Sequence, residues 1–311
     1  MNTVVVLALA LVAALTLGAL LFKRFGFRRG RKITNKPVTP TAPVGTPTGS
    51  TKEYAGKVAI VTGGGTGLGR SIAIKLAQQG AKVVIASRKQ EHLDTTAAEI
   101  TAFGGEVLTF SFDVREPAQV EALVKATLER FGKIDILVNN AAGNFVVPAD
   151  KLTPNGWNAV IGIVLNGTWY CTSAVGKEMI KQGHGSILNI VANYAWSGYP
   201  CVVHSAAAKA GVLNMTRTLA VEWGYKGLRV NALAPGTMPS KGASGNLNFA
   251  LAWAQKKIAE AVPLGRLTDS DEMAELALFL LSDKAAYVNG EVFTADGGAW
   301  LPRGFLDLQS L

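Results

Sequence analysis

Two clusters in this 311-residue chain have side chains or turns that packing alone does not explain. The first is Gly63-Gly64-Gly65-Thr66-Gly67-Leu68-Gly69-Arg70, which follows the apolar run Lys57–Thr62 and precedes an amphipathic stretch from Ser71 to Gln79. That order reads as strand, glycine turn, helix. Glycines there permit positive φ and let backbone N–H groups approach a pyrophosphate at a helix N-terminus, where the dipole favours anions. With a second strand at Ala81–Ala86, the turn (Gly63, Thr66, Gly67, Leu68, Gly69) predicts a dinucleotide site. The second cluster is Ser205-Ala206-Ala207-Ala208-Lys209-Ala210. A lysine flanked by four alanines has no packing reason to be there, so it is read as a ligand-binding group.

The end of the second strand selects the cofactor. An NAD site places Asp or Glu there to accept hydrogen bonds from the adenosine ribose. This chain has Ala86-Ser87-Arg88-Lys89 instead. Ser87 and Arg88, assisted by Arg70, suit a 2′-phosphate, which predicts NADPH. The competing reading has Arg88 and Lys89 only solvating a helix start.

These residues need a scaffold. Strand-like runs at 57–62, 81–86, 106–112, 134–138, 186–191, 228–234 and 292–295 alternate with helical stretches, which predicts one doubly wound α/β domain on a parallel sheet of about seven strands. Residues 53–311 are assigned to it. Residues 1–52 read differently. Val4–Phe22 is a 19-residue run without charge, long enough to cross a bilayer as a helix, so residues 1–22 are expected to be a transmembrane anchor. Seven Lys and Arg between positions 23 and 36 follow it, the reverse of a cleaved signal peptide. The positive-inside rule then leaves the catalytic part facing the cytosol. The endoplasmic reticulum, mitochondrial outer membrane and peroxisomal membrane all suit such an anchor; a cleaved presequence would instead deliver the domain to the mitochondrial interior. Residues 23–52 form a basic flank and a Pro/Thr/Gly linker.

Charge and cysteine content exclude other classes. Residues 1–52 hold eight of the 31 Lys and Arg and none of the 22 Asp and Glu, so the remaining 23 bases and 22 acids nearly balance. The basic character belongs to the flank and gives no support for nucleic-acid binding. Two cysteines, Cys171 and Cys201, are too few for a disulfide framework or a zinc site, and no metal is expected.

Further motifs follow in order. Phe112-Asp113-Val114 ends the third strand with an acid suited to an adenine amine. Asn139-Asn140-Ala141-Ala142-Gly143 ends the fourth, Asn231-Ala-Leu-Ala-Pro235-Gly236 the sixth, and Ala295-Asp296-Gly297-Gly298 the last. In this order and spacing, residues 55–300 resemble the short-chain dehydrogenase/reductase superfamily. Two departures narrow the resemblance. Ser205 stands where that superfamily carries a catalytic tyrosine, and Ala192 where it carries a serine. The chain instead resembles the 2,4-dienoyl-CoA reductases, in Asn139–Phe145, Ile163–Thr168, Tyr194–Gly198, Ser205–Gly211, Glu222–Gly224 and Pro263–Leu267. Tyr194, fifteen residues before Lys209, matches the mitochondrial type; Asp296–Leu301 looks more like the peroxisomal type.

The resemblance implies NADPH-dependent reduction of 2,4-dienoyl-CoA to 3-enoyl-CoA in the β-oxidation of unsaturated fatty acids. It implies Asn144 as oxyanion donor, Tyr194 as donor and proton source, Lys209 on the nicotinamide ribose, and Ser205 as a smaller polar contact. Asn144, Phe145, Tyr194 and Arg266 would meet substrate, and the acyl-chain wall would lie around residues 242–264; Arg266 and Lys241 suit the CoA phosphates, though either one alone better suits a solvated position. It also implies a homo-oligomer, a tetramer by family habit. From the residues alone, Tyr194 and Trp196 equally suit aromatics packing a loop, Asn144 a loop cap, His204 a structural residue, and His92 and His184 surface positions. Two other functions remain open: a different enoyl or carbonyl reductase, and a non-catalytic nucleotide-binding subunit of a membrane lipid-enzyme complex.

Overall fold

The structure is a computed structural model, and it describes residues 52–239 and 255–301. The anchor at 4–22, the linker, Lys241 and the part of the acyl-chain wall up to residue 254 lie outside the described residues.

Seven parallel strands run in the order β3-β2-β1-β4-β5-β6-β7. They are β1 (Val58–Thr62), β2 (Lys82–Ser87), β3 (Val107–Ser111), β4 (Ile136–Asn139), β5 (Gly185–Ile190), β6 (Leu228–Pro235) and β7 (Val292–Ala295). Every run predicted from the sequence is a strand, with ends moved by a residue or two. Because strand side chains alternate, Ala59 and Val61 enter one core with Val83 and Ile85, while Ile60 enters the other with Val84 and Ala86. Both faces are therefore buried, as continuous apolar strands require.

Helices cover the two faces. α1 (Gly67–Gln78), α2 (Gln90–Ala102) and α8 (Ser270–Leu281) supply Ile72, Leu76, Leu93, Ile100 and Leu281 to one core. α3 (Pro117–Phe131), α5 (Gly167–Gln182) and α7 (Val203–Gly224) supply Val120, Leu123, Val175, Met179 and Trp223 to the other. α1 starts four residues before the predicted Ser71, since the turn glycines themselves enter the helix. The helical segment Pro154–Gln182 is compound: α4 (Pro154–Ile161), a π turn over Gly162–Asn166, then α5. Pro154–Gln182 contains an 18-residue stretch that reaches a mean hydropathy of 1.2, apolar enough to span a bilayer. Its Val160, Val164, Cys171, Val175 and Met179 are nevertheless core residues of the domain.

Arg229 on β6 locks the end of α8. Its guanidinium donates to the carbonyls of Leu280 (2.8 Å), Leu281 (3.1 Å) and Ser282 (3.0 Å) and to the Ser186 hydroxyl (3.1 Å). A cation at a helix C-terminus also complements the dipole. Arg229→Met should lower stability by about 3 kcal/mol, since several half-buried carbonyls lose a charged donor. Urea denaturation followed by circular dichroism checks this.

Sheet order reverses between β1 and β4, each of which connects onward in the opposite direction. Ligands of open α/β sheets bind at such a switch point, beyond the carboxyl ends of the strands.

Candidate active site

At that switch point the glycine turn is fixed by close approach. A Cβ on Gly69 would lie 2.3 Å from the Gly63 carbonyl oxygen, and one on Gly63 2.8 Å from Asn140 Nδ2. Gly63 also has φ +65°, so no larger residue fits either place. Asn140 ties the turn to β4: its amide donates to the carbonyls of Thr62 (3.1 Å) and Gly63 (3.3 Å). The Thr62 hydroxyl accepts the N–H groups of Asn140 and Ala141, both at 3.0 Å. Thr66 precedes α1 but makes no side-chain capping bond. The first-turn N–H groups are thus left for an anion.

A cavity of about 740 Å³ opens here. Gly63, Thr66 and Leu68 line it from the turn, and Ser87 and Arg88 from the end of β2. Asp113 and Val114 line it after β3, Asn140 and Ala141 after β4, and Ile163 reaches it from the π turn. The size, the glycine floor and the absence of an acid after β2 all fit a phosphate-bearing dinucleotide. Asp113 is bound by Arg115 through Nε (3.0 Å) and Nη2 (2.5 Å). The Arg115 guanidinium holds the Asp113 carboxyl below the usual range. Arg70, expected to assist at the 2′-phosphate, instead pairs with Glu99, with Nε 3.2 Å from Oε1. Its charge is engaged on α2.

The reacting groups gather on the first turns of α7. Tyr194, on the short helix α6 (Tyr194–Ser197), has its hydroxyl 3.1 Å from Ser205 Oγ. Ser205 is buried, and one helical turn on, the buried Lys209 ammonium donates to the Ile190 carbonyl at the end of β5 (2.5 Å). Burial pulls the Lys209 pKa down to about 8. Asn144 is exposed in the loop after β4. Its neighbour Phe145 lays its ring on His204, centroids 4.5 Å apart, and His204 adjoins Ser205. The loop bearing Asn144 therefore reaches the same helix end that receives Tyr194. Lys209, Ser205 and Tyr194 are not part of the large cavity's lining.

Several side-chain placements leave no local signal in the sequence. Asp296, 5% exposed, accepts from Asn193 Nδ2 (2.9 Å) and from the N–H groups of Gly298 and Trp300 (3.0 Å each), clasping the residue before Tyr194. His204 is fully buried with both ring nitrogens unpartnered among the described residues. His92 has a surface-exposed side chain, as expected, and also lines the large cavity. His184 is at the surface as expected, yet its Nε2 lies 2.9 Å from the buried Asp135. Pro235 ends β6, and Gly236 lines a second cavity of about 200 Å³ with Asp296 and Arg266. The Arg266 guanidinium, expected to meet CoA phosphates, is spent on Glu272 through two 2.7 Å bonds.

A parallel doubly wound sheet, a glycine turn at its switch point and a buried lysine beside a phenol define a nicotinamide-dinucleotide oxidoreductase. The chain belongs to the short-chain dehydrogenase/reductase family: the family model described as enoyl-(acyl carrier protein) reductase matches residues 63–299. A Bacillus subtilis protein named probable 2,4-dienoyl-CoA reductase, (2E)-enoyl-CoA-producing, is 51% identical over 247 residues, 79% of this chain and 97% of that one. The Danio rerio peroxisomal 2,4-dienoyl-CoA reductase, (3E)-enoyl-CoA-producing, is 42% identical over 79% of this chain and 82% of its own. Among solved structures, a Bacillus anthracis short chain dehydrogenase is 49% identical with a TM-score of 0.74, covering 81% of this chain and 99% of that one.

Proposed function

We propose that this enzyme uses NADPH to reduce 2,4-dienoyl-CoA thioesters to 3-enoyl-CoA in the breakdown of unsaturated fatty acids. The observation that carries this is the 3.1 Å contact between Tyr194 and Ser205 beside Lys209. A phenol has been brought from another element into hydrogen-bond contact with Ser205. The names of the relatives above agree with this substrate class.

Gly63, Thr66, Gly67, Leu68 and Gly69 would hold the pyrophosphate, Asp113 and Val114 the adenine, and Ser87 and Arg88 the 2′-phosphate. Asn140, Ala141, Pro235, Gly236 and Lys209 would hold the nicotinamide half. NADPH bound there would supply a hydride for the δ carbon of the dienoyl group. Negative charge then collects on the thioester oxygen. Asn144 and Tyr194 donate hydrogen bonds to that oxygen, as preorganised donors do for an oxyanion. Tyr194 gives its proton to the α carbon, which leaves the remaining double bond at C3. Ser205 is the small polar neighbour of that hydroxyl, and Phe145 walls the substrate. A carbonyl reductase instead needs its acid on the carbonyl oxygen, where Ser205 now stands.

Full-length protein assayed with dienoyl-, enoyl- and ketoacyl-CoA tests the reading. NADPH oxidation with the dienoyl substrate is expected. Turnover of the ketoacyl substrate alone would make it a carbonyl reductase, and cofactor binding without any turnover a nucleotide-binding subunit.

Residues 1–22 are proposed as a single-pass anchor and 23–52 as its linker, with residues 53–311 as a cytosol-facing reductase that assembles as a homotetramer. The uncharged 19-residue run and its basic flank support the anchor. Alkaline carbonate extraction of a tagged full-length protein should leave it in the membrane pellet; release into the supernatant refutes the anchor.

A further inference from the structure

His92 lines the wall of the dinucleotide cavity beside Ser87, Arg88 and Lys89, with its side chain 44% exposed. A Cβ built on Gly65 would lie 2.9 Å from the His92 Cβ, so the histidine stands directly against the glycine turn. One turn further along α2, the buried Thr96 hydroxyl donates to the Gly65 carbonyl (3.2 Å) and pins the helix to that turn. His92 is thereby held in the corner between the pyrophosphate turn and the end of β2. That corner is where the adenosine ribose of a dinucleotide lies in folds of this kind.

The surrounding charges leave an anion-seeking corner. Glu91 sits 3.5 Å from the Lys89 ammonium and 3.9 Å from His92 Nε2, with its side chain 70% exposed. Asp113, across the cavity, is engaged by Arg115. Arg88 has no carboxylate at ion-pair distance among the described residues. An imidazole keeps at least one N–H donor in either protonation state.

We propose that His92 is a cofactor-specificity residue, donating an imidazole N–H to the 2′-phosphate of NADPH alongside Ser87 and Arg88. The inference rests on the NADPH reading above. A phosphate accepts charge-assisted hydrogen bonds that a ribose hydroxyl does not match, so His92 stabilises the phosphorylated cofactor selectively.

Isothermal titration calorimetry of full-length protein in detergent, with NADP⁺, NAD⁺ and adenosine 2′,5′-bisphosphate, tests it without turnover. His92→Leu keeps the bulk of the side chain and should weaken NADP⁺ and the bisphosphate about tenfold, leaving NAD⁺ unchanged. His92→Arg should restore the affinity. An unchanged NAD⁺ affinity also shows that the cavity is intact. Equal losses for NADP⁺ and NAD⁺, or no loss for either, overturn the role of His92. Wild-type protein that binds NADP⁺ no tighter than NAD⁺ overturns the NADPH reading itself.

Discussion

Tyr194→Phe should lower turnover of a dienoyl-CoA by about 100- to 1,000-fold, the cost of losing one oxyanion donor that is also the proton source. The ring stays, so its contact with Tyr199, centroids 6.5 Å apart, and the clasp of Asp296 on Asn193 are kept. Cofactor affinity should therefore hardly move. Steady-state kinetics together with a titration of NADP⁺ separate the two effects. A fall in both would mean that Tyr194 supports the fold rather than the chemistry. Unchanged turnover would remove it from the mechanism.

Lys209→Met should act on both, lowering turnover by about 100-fold and weakening the cofactor, because a charged donor to the ribose is lost. Its pH signature is specific. The Lys209 ammonium is buried, with its pKa pulled from the ordinary 10.5 to about 8. Below about pH 8 the lysine is charged in the folded and unfolded chains alike, and the buried charge costs stability in full. Between about 8 and 10.5 the folded protein releases the proton while the unfolded chain keeps it, so stability rises with pH through that window. Lys209→Met lacks this term. The stability advantage of the variant over the parent at pH 7 should shrink as pH rises through 8, in denaturation series at fixed salt. A pH-independent difference would place the amine in a wetter setting than its contact with Ile190 indicates.

What was legible in the sequence follows from local rules. The strand runs, the glycine turn and the absence of an acid after β2 depend on near neighbours. So β1, α1 and the cavity-lining set from Gly63 to Ala141 could be placed by periodicity and turn chemistry. Lys209 was legible because an alanine run gives a lysine nothing to pack against. The π turn at Gly162–Asn166 was not, since a one-residue expansion of the helical ladder leaves no mark in an apolar stretch. Long-range pairings were equally hidden. Arg70 finds Glu99, Arg266 finds Glu272, and His92 meets Gly65 only after the chain has folded. Two cations expected near phosphates proved to be engaged by carboxylates, because sequence shows a charge but not its partner. Asp296 shows the same gap: an acid in a closing turn reads as loop chemistry until Asn193 appears beside it, 103 positions earlier.

The positions of the two added hydrogens test the account most directly. Reduction of 2,4-hexadienoyl-CoA with NADPH deuterated at the transferring position, analysed by NMR, should place deuterium at C5. In heavy water with ordinary NADPH, deuterium should appear at C2, and the product should be the 3-enoyl thioester. Cofactor deuterium at C3 would mean simple reduction of the α,β double bond. Solvent deuterium at C4 with a 2-enoyl product, the product class in the name of the Bacillus subtilis relative, would contradict α-protonation by Tyr194.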